Sequence, residues 1–190
     1  MNRRNAQPLV LLAVVIAALA AVVGWRTYQA RHPNLDQLAH DAYLGDPDTW
    51  PAHQKFLNQP APPLDLTEWR GTPVTPETMK GKIVVVDFWA TWCEPCLQSV
   101  PHNNEVARKY ADRGVLLVGA CGAEEQEKMK AVADEVKMDY PTGRASDKTT
   151  TAWGVQFWPH VVVLDRQGKV RAVGIKPDAL EPVLDALLRE

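Results

Sequence analysis

Residues 83–96 read Ile83-Val84-Val85-Val86-Asp87-Phe88-Trp89-Ala90-Thr91-Trp92-Cys93-Glu94-Pro95-Cys96, and this stretch decides the fold. From Ile83 to Trp89 it is an apolar run broken only by Asp87. Such a run suits a strand buried on both faces, hence a central strand of a partly parallel sheet. The next stretch, from about Cys93 to Asp112, reads as a helix with Pro95 in its first turn, where a missing N–H costs nothing. Pro101 is expected to kink it. Two cysteines with two residues between them therefore stand where a buried strand passes into a helix. There the first thiol faces the unsatisfied N–H groups and positive dipole end of the helix. Its thiolate, the form that attacks a disulfide, is stabilised. Cys93 is the expected nucleophile, and Cys96, one turn inward, the expected resolving thiol.

Outward from this junction the signals stay regular. Val115 to Cys121 repeats the buried-strand pattern, and Ala123 to Lys137 reads as a helix, with Glu124 four residues before Lys128 in the favourable order. Strand, helix, strand implies a crossover connection. After a helical segment near Asp147 to Trp153, Val161–Leu164 and Val170–Val173 form a hairpin across Asp165-Arg166-Gln167-Gly168. A last helix from Pro177 carries Leu180, Val183, Leu184, Leu187 and Leu188 on one stripe. The order βαβ, helix, ββα implies an α/β domain, a central mixed sheet flanked by helices.

Before this domain, residues 9–25 are almost uninterruptedly apolar, preceded by Arg3 and Arg4 and followed by Arg26. That is the lower limit for a transmembrane helix. Ala18-Leu19-Ala20 also fits a cleavable secretory signal. The apolar run continues to Val23 and ends in the interfacial Trp25, which favours an uncleaved anchor. Both readings export the rest of the chain, to the periplasm or cell exterior. The expected organisation is a tail over 1–8, a membrane segment over 9–25, a polar tether with short helices over 26–62, and the domain over 63–190. Lys and Arg number 21 against 23 Asp and Glu, a net charge of -2, which gives no electrostatic basis for nucleic-acid binding. The third cysteine, Cys121, is either buried and inert or a reactive partner. A zinc site would need two ligands beyond Cys93 and Cys96, and only Cys121 and scattered histidines remain.

Val86 to Cys96 resembles the active-site signature of the thioredoxin superfamily. With the apolar segment and the exported placement, the chain resembles the TlpA/ResA-like family of membrane-anchored thiol-disulfide oxidoreductases over roughly residues 63–190. The resemblance implies a thioredoxin-like fold in which Cys93 and Cys96 are the catalytic pair. Their redox-active disulfide takes the place of any cofactor, and no metal is called for. Pro159 matches the proline that the superfamily holds in a cis peptide, beside which a substrate strand can pair. Asp87 stands where thioredoxins carry Asp and many TlpA-like proteins carry Asn. Buried there, its pKa should rise, and it is either a proton shuttle for Cys96 or a hydrogen-bonded core acid. Ser99 stands where relatives with Cys-Glu-Pro-Cys often have Glu.

Trp92 and Trp158 offer an apolar rim for a thiol-bearing segment, or simply pack. His102 and His160 are candidates for tuning the thiolate, or ordinary surface or core residues. Glu94 and Pro95 place no positive charge beside Cys93, which points to a reductant rather than an oxidant. The implied partners are oxidised protein substrates, apocytochrome c thiols among the candidates, and a membrane thiol donor passing electrons from the cytoplasm. Two rivals are a copper chaperone using both thiols and a histidine such as His160, and a peroxiredoxin. For the second, Thr91 fits, but the upstream proline is missing.

Overall fold

The computed structural model describes residues 14–24 and 34–190. Its strands are β1 (Leu66–Arg70), β2 (Ile83–Trp89), β3 (Val115–Cys121), β4 (Thr142–Ala145), β5 (His160–Leu164) and β6 (Val170–Ile175). They form one sheet in the spatial order β1-β4-β3-β2-β5-β6. β2 pairs parallel with β3 and antiparallel with β5, so the sheet is mixed and β2 is internal, as expected. The helices are α1 (Leu35–Asp41), α2 (Trp50–Gln54), α3 (Pro76–Met79), α4 (Glu94–Tyr110), α5 (Met129–Glu135), α6 (Asp147–Ala152) and α7 (Leu180–Leu187).

Every residue of β2 is buried, and the two-residue period sends alternate side chains to opposite faces. Ile83, Val85 and Trp89 join Val100, Val106 and Tyr110 of α4 and Leu180 and Leu184 of α7 in one cluster. Val84, Val86 and Phe88 join Trp153 in the other. Each side chain of this kind contributes about 1.5–3 kcal/mol when fully buried. Asp87, odd-numbered, falls on the face that α4 covers. The β5–β6 turn forms where its residues allow: Asp165 Oδ1 accepts from the Gln167 and Lys169 amides, both at 2.9 Å, and Gly168 takes φ +76°.

Several boundaries differ from expectation. α4 runs through Pro101 to Tyr110, where a 3-10 turn and Gly114 in a left-handed conformation end it. The helix expected from Ala123 starts later. Ala123 and Glu125 take positive φ, a 3-10 turn covers Gln126–Lys128, and α5 begins at Met129. Just before this stretch, Gly122 packs so tightly under Trp158 that a Cβ would lie 2.5 Å from its ring. Lys128 pairs with Glu125 at 3.0 Å, not with Glu124.

The compact unit spans Leu35–Glu190, so residues 35–62, expected as a tether, are part of it. β6 is an edge strand whose outer backbone groups need partners, and this segment supplies them. Tyr43 bridges to Ile175, and Pro60 to Lys169. The Leu44 amide donates to the Gly174 carbonyl at 2.8 Å, and the Lys176 amide to the Ala42 carbonyl at 2.9 Å. Leu35 and Ala39 enter one core cluster, while Trp50, Phe56 and Leu57 pack against the other.

Of the expected membrane segment over 9–25, residues 14–24 are described; they are helical and exposed, and the rest lies outside the described residues. Among the described residues, no helix is long and apolar enough to cross a membrane.

A chain starting at Pro63 should lose at least about 3 kcal/mol of unfolding free energy relative to one starting at Asn34. Equal urea midpoints for the two would show that residues 34–62 add nothing to the domain.

Candidate active site

Cys93 and Cys96 are joined in a disulfide with an S–S distance of 2.03 Å. Cys93 is the N-cap of α4: its backbone is extended, and its Sγ accepts the Cys96 amide at 3.2 Å. The end of β2 thus aims the first sulfur at an amide that has no partner within the helix. Once the disulfide is reduced, the same N–H and the helix dipole favour negative charge on that sulfur. In the oxidised pair only 3% of Cys93 and 2% of Cys96 is exposed, whereas Trp92 is 53% exposed. Glu94 and Pro95 are exposed as well. The Glu94 carboxylate accepts from Gln98 Nε2 at 2.9 Å, so it is held on the helix surface.

Asp87 is buried beneath α4. Its Oδ2 accepts from the Tyr140 hydroxyl at 2.8 Å and from Asn103 Nδ2 at 3.1 Å. Its Oδ1 and the Oδ1 of Asn103 have no donor. Burial pushes the Asp87 pKa up to about 6, against the opposing pull of the Tyr140 and Asn103 hydrogen bonds. A carboxyl with that value exchanges its proton near neutral pH. Sequence reasoning missed Tyr140 and Asn103. Asn103 carried a usable signal, since it lies seven residues after Cys96 and so on the same face of the helix. Tyr140, in the turn before β4, carried none.

The remaining candidates fall into two groups. Near the cysteines, Pro159 is buried and the Trp158-Pro159 peptide is cis. Trp158 is half-buried over Gly122. The Ser99 hydroxyl donates to the Cys96 carbonyl at 2.7 Å, so the position holds a helix-bound hydroxyl and no carboxylate.

His102 lines a groove together with Pro95, Ser99 and Pro159, and its Nε2 lies 3.2 Å from the Pro177 carbonyl. His160 is buried against Phe157 and His53, and neither ring nitrogen has a hydrogen-bond partner. Burial, then the nearby His53, push its pKa down to about 3, so at neutral pH it brings no positive charge to the thiols. Cys121 sits opposite Trp89 in the β2–β3 register, and burial pushes its thiol up to about 12. It is protonated and inert under ordinary conditions. Among the described residues, no group of three or more His, Cys, Asp or Glu could hold a metal ion.

A family model described as Redoxin matches residues 56–188. Thioredoxin-like protein YneN of Bacillus subtilis is 31% identical over 119 residues, 62% of this chain and 70% of that one. Thiol-disulfide oxidoreductase ResA of Bacillus thuringiensis is 24% identical over 163 residues, 85% of this chain and 84% of that one. Among solved structures, a thiol:disulfide interchange protein of the thioredoxin family from Chlorobium tepidum superposes with a TM-score of 0.57 at 25% identity, covering 68% of this chain and 97% of that one.

The raised Asp87 value has a consequence for stability. Its folded pKa, about 6, lies above the ordinary 3.8, so its protonated form is the one the fold prefers. The stability it contributes is full below about pH 4 and is lost as pH rises through 6, a change of about 3 kcal/mol. Asp87→Asn should remove this slope: relative to the parent, the oxidised variant should gain about 3 kcal/mol between pH 4 and pH 8. Urea titrations at the two pH values measure it, and a difference independent of pH would mean that Asp87 does not titrate in this range.

Proposed function

This chain belongs to the Redoxin family and is a thiol-disulfide oxidoreductase of thioredoxin-like fold, and we propose that it reduces disulfides of proteins outside the cytoplasm, with Cys93 attacking and Cys96 resolving. The observation that carries this division of labour is the Cys96 amide donating to Cys93 Sγ at the head of α4.

In the reduced protein, the Cys93 thiolate attacks one sulfur of the substrate disulfide. That bond breaks, and the first substrate sulfur leaves as a thiolate and takes up a proton. Cys93 is now joined to the second substrate sulfur. Cys96 then loses its proton and attacks Cys93 Sγ, displacing the second substrate sulfur as a thiolate that takes up a proton in its turn. The substrate has gained two electrons and two protons, and the pair has become the Cys93–Cys96 disulfide. Asp87, buried on the strand face beneath the Cys96 helix, is the group we assign to accept the Cys96 proton, which its value of about 6 suits. No cofactor beyond the cysteine pair enters this cycle. Exchange with a dithiol donor in the membrane restores the reduced state by the reverse steps.

The reductive direction is supported by Glu94-Pro95, which places no positive charge beside the Cys93 thiolate. Trp92, Trp158 and Pro159 are the residues assigned to contact substrate. Export is supported by the apolar run over 9–25, read as a membrane anchor, or as a cleaved signal that leaves the domain free in the periplasm or outside the cell. Apocytochrome c, with its cysteine pair oxidised to a disulfide, is a candidate substrate in such a compartment, and its thiols are the product.

In the Cys96→Ser variant, substrate should remain covalently attached, and peptide mapping should find it on Cys93. Attachment at Cys121, or none, would overturn the assignment. With both cysteines present, Asp87→Asn should lengthen the lifetime of the mixed disulfide about 10²-fold at pH 7. The direction is tested separately. Equilibration with dithiothreitol should give a potential nearer the thioredoxin value of about −270 mV than the strongly oxidising value of about −120 mV, and a result at the oxidising end would reverse it.

A further inference from the structure

Among the described residues of the Leu35–Glu190 unit, the exposed large apolar side chains are Trp92 and Leu44, the latter 38% exposed. Both stand by the disulfide. Trp92 precedes Cys93 in sequence. Leu44, together with Pro95 and Pro159, lines each of two adjoining shallow grooves. One groove continues past Phe157 and Trp158, the other past Ser99 and Pro177. Their linings are mainly apolar, and the acidic and basic side chains among them are Asp46 in the first groove and His102, Lys176 and Asp178 in the second.

The loop that carries Leu44 is built to hold its position. The Leu44 amide is tied to Gly174 of β6. The Tyr43 hydroxyl bonds Thr49 Oγ1 at 2.7 Å and His53 Nδ1 at 2.6 Å. Asp46 caps the next turn through the Asp48 amide at 2.9 Å. Gly45 packs so closely that a Cβ would lie 2.5 Å from both the Phe157 ring and the Tyr43 hydroxyl. Leu44 belongs to neither core cluster, and more than a third of it is left open to solvent by these constraints. The loop also precedes residues 56–188, the region matched by the family model, so this wall of the groove is contributed from outside it.

Resting on the function proposed above, we propose that Leu44 determines substrate specificity: with Pro95 and Pro159 it receives an apolar side chain adjacent to the reactive cysteine of an extended polypeptide. Open, shallow, apolar grooves on two sides of one point suit an extended chain running past the disulfide. A small charged disulfide would find no cluster of positive charge there.

The test uses the full chain carrying Cys93→Ser and Cys96→Ser, so that binding is read without exchange. Two synthetic peptides, each with an S-methylated cysteine, differ only in having Leu or Ser as the next residue. Tryptophan fluorescence or calorimetry should show the Leu peptide binding about tenfold more tightly. Adding Leu44→Ser should reduce this preference below about twofold, while Leu44→Met should retain most of it. Equal affinity for both peptides in the parent, or an undiminished preference in Leu44→Ser, overturns the proposal. The two readings fail separately. A wild-type chain that exchanges disulfides, paired with a binding form indifferent to the flanking residue, loses only the groove. A chain that shows the preference but exchanges no disulfide keeps the groove and loses the proposed function.

Discussion

Burial of β2 on both faces obliges the chain to cover two surfaces at once. The covering of the odd-numbered face also delivers the chemistry. To pack back over Ile83, Val85 and Asp87, α4 has to start almost as soon as the strand ends, so its first turn falls at the two cysteines. The N-cap position goes to Cys93, whose sulfur then meets an amide without a helical partner. An arrangement required for packing thereby yields an electropositive setting for one sulfur and places the other within the first turn of the helix. The even-numbered face is covered by Trp153 and by the side chains of the segment before β1, and of the site residues Trp158 packs against it.

Asp87 is where packing and chemistry compete. A carboxyl in a central strand is costly in its charged form, and only one of its oxygens receives hydrogen bonds. Tyr140 and Asn103 moderate that cost without removing it, leaving the group poised near neutrality. A hydrophobic residue of similar size would make a more stable strand. Retaining an acid there sacrifices stability at neutral pH, a cost that the proton-accepting role proposed for it would explain.

The parts legible in the sequence were those whose pattern is local and strong. β2, β3, the β5–β6 hairpin and the helix that opens at the cysteines announce themselves by unbroken apolar runs, turn residues and a Pro in a first turn. β1 and β4 do not. Leu66-Thr67-Glu68-Trp69-Arg70 and Thr142-Gly143-Arg144-Ala145 are short and mixed, and they become strands by pairing with each other and, for β4, with β3. Residues 35–62 were opaque for a related reason. Their apolar groups are small and irregularly spaced, and their partners lie more than a hundred residues away on β6. At the site, Cys93, Cys96, Asp87 and Pro159 were readable from the motif and its surroundings. Tyr140 reaches Asp87 only through the tertiary fold.

Cys121 lies opposite Trp89, sealed in the sheet with its thiol held protonated. Three cysteines allow three possible intramolecular pairings, and two of these would consume Cys121. Because that sulfur is neither ionised nor reachable, the folded chain is left with a single oxidised isomer. It therefore alternates between two electronic states with no scrambled side product, and every pair of electrons it accepts is one it can give back.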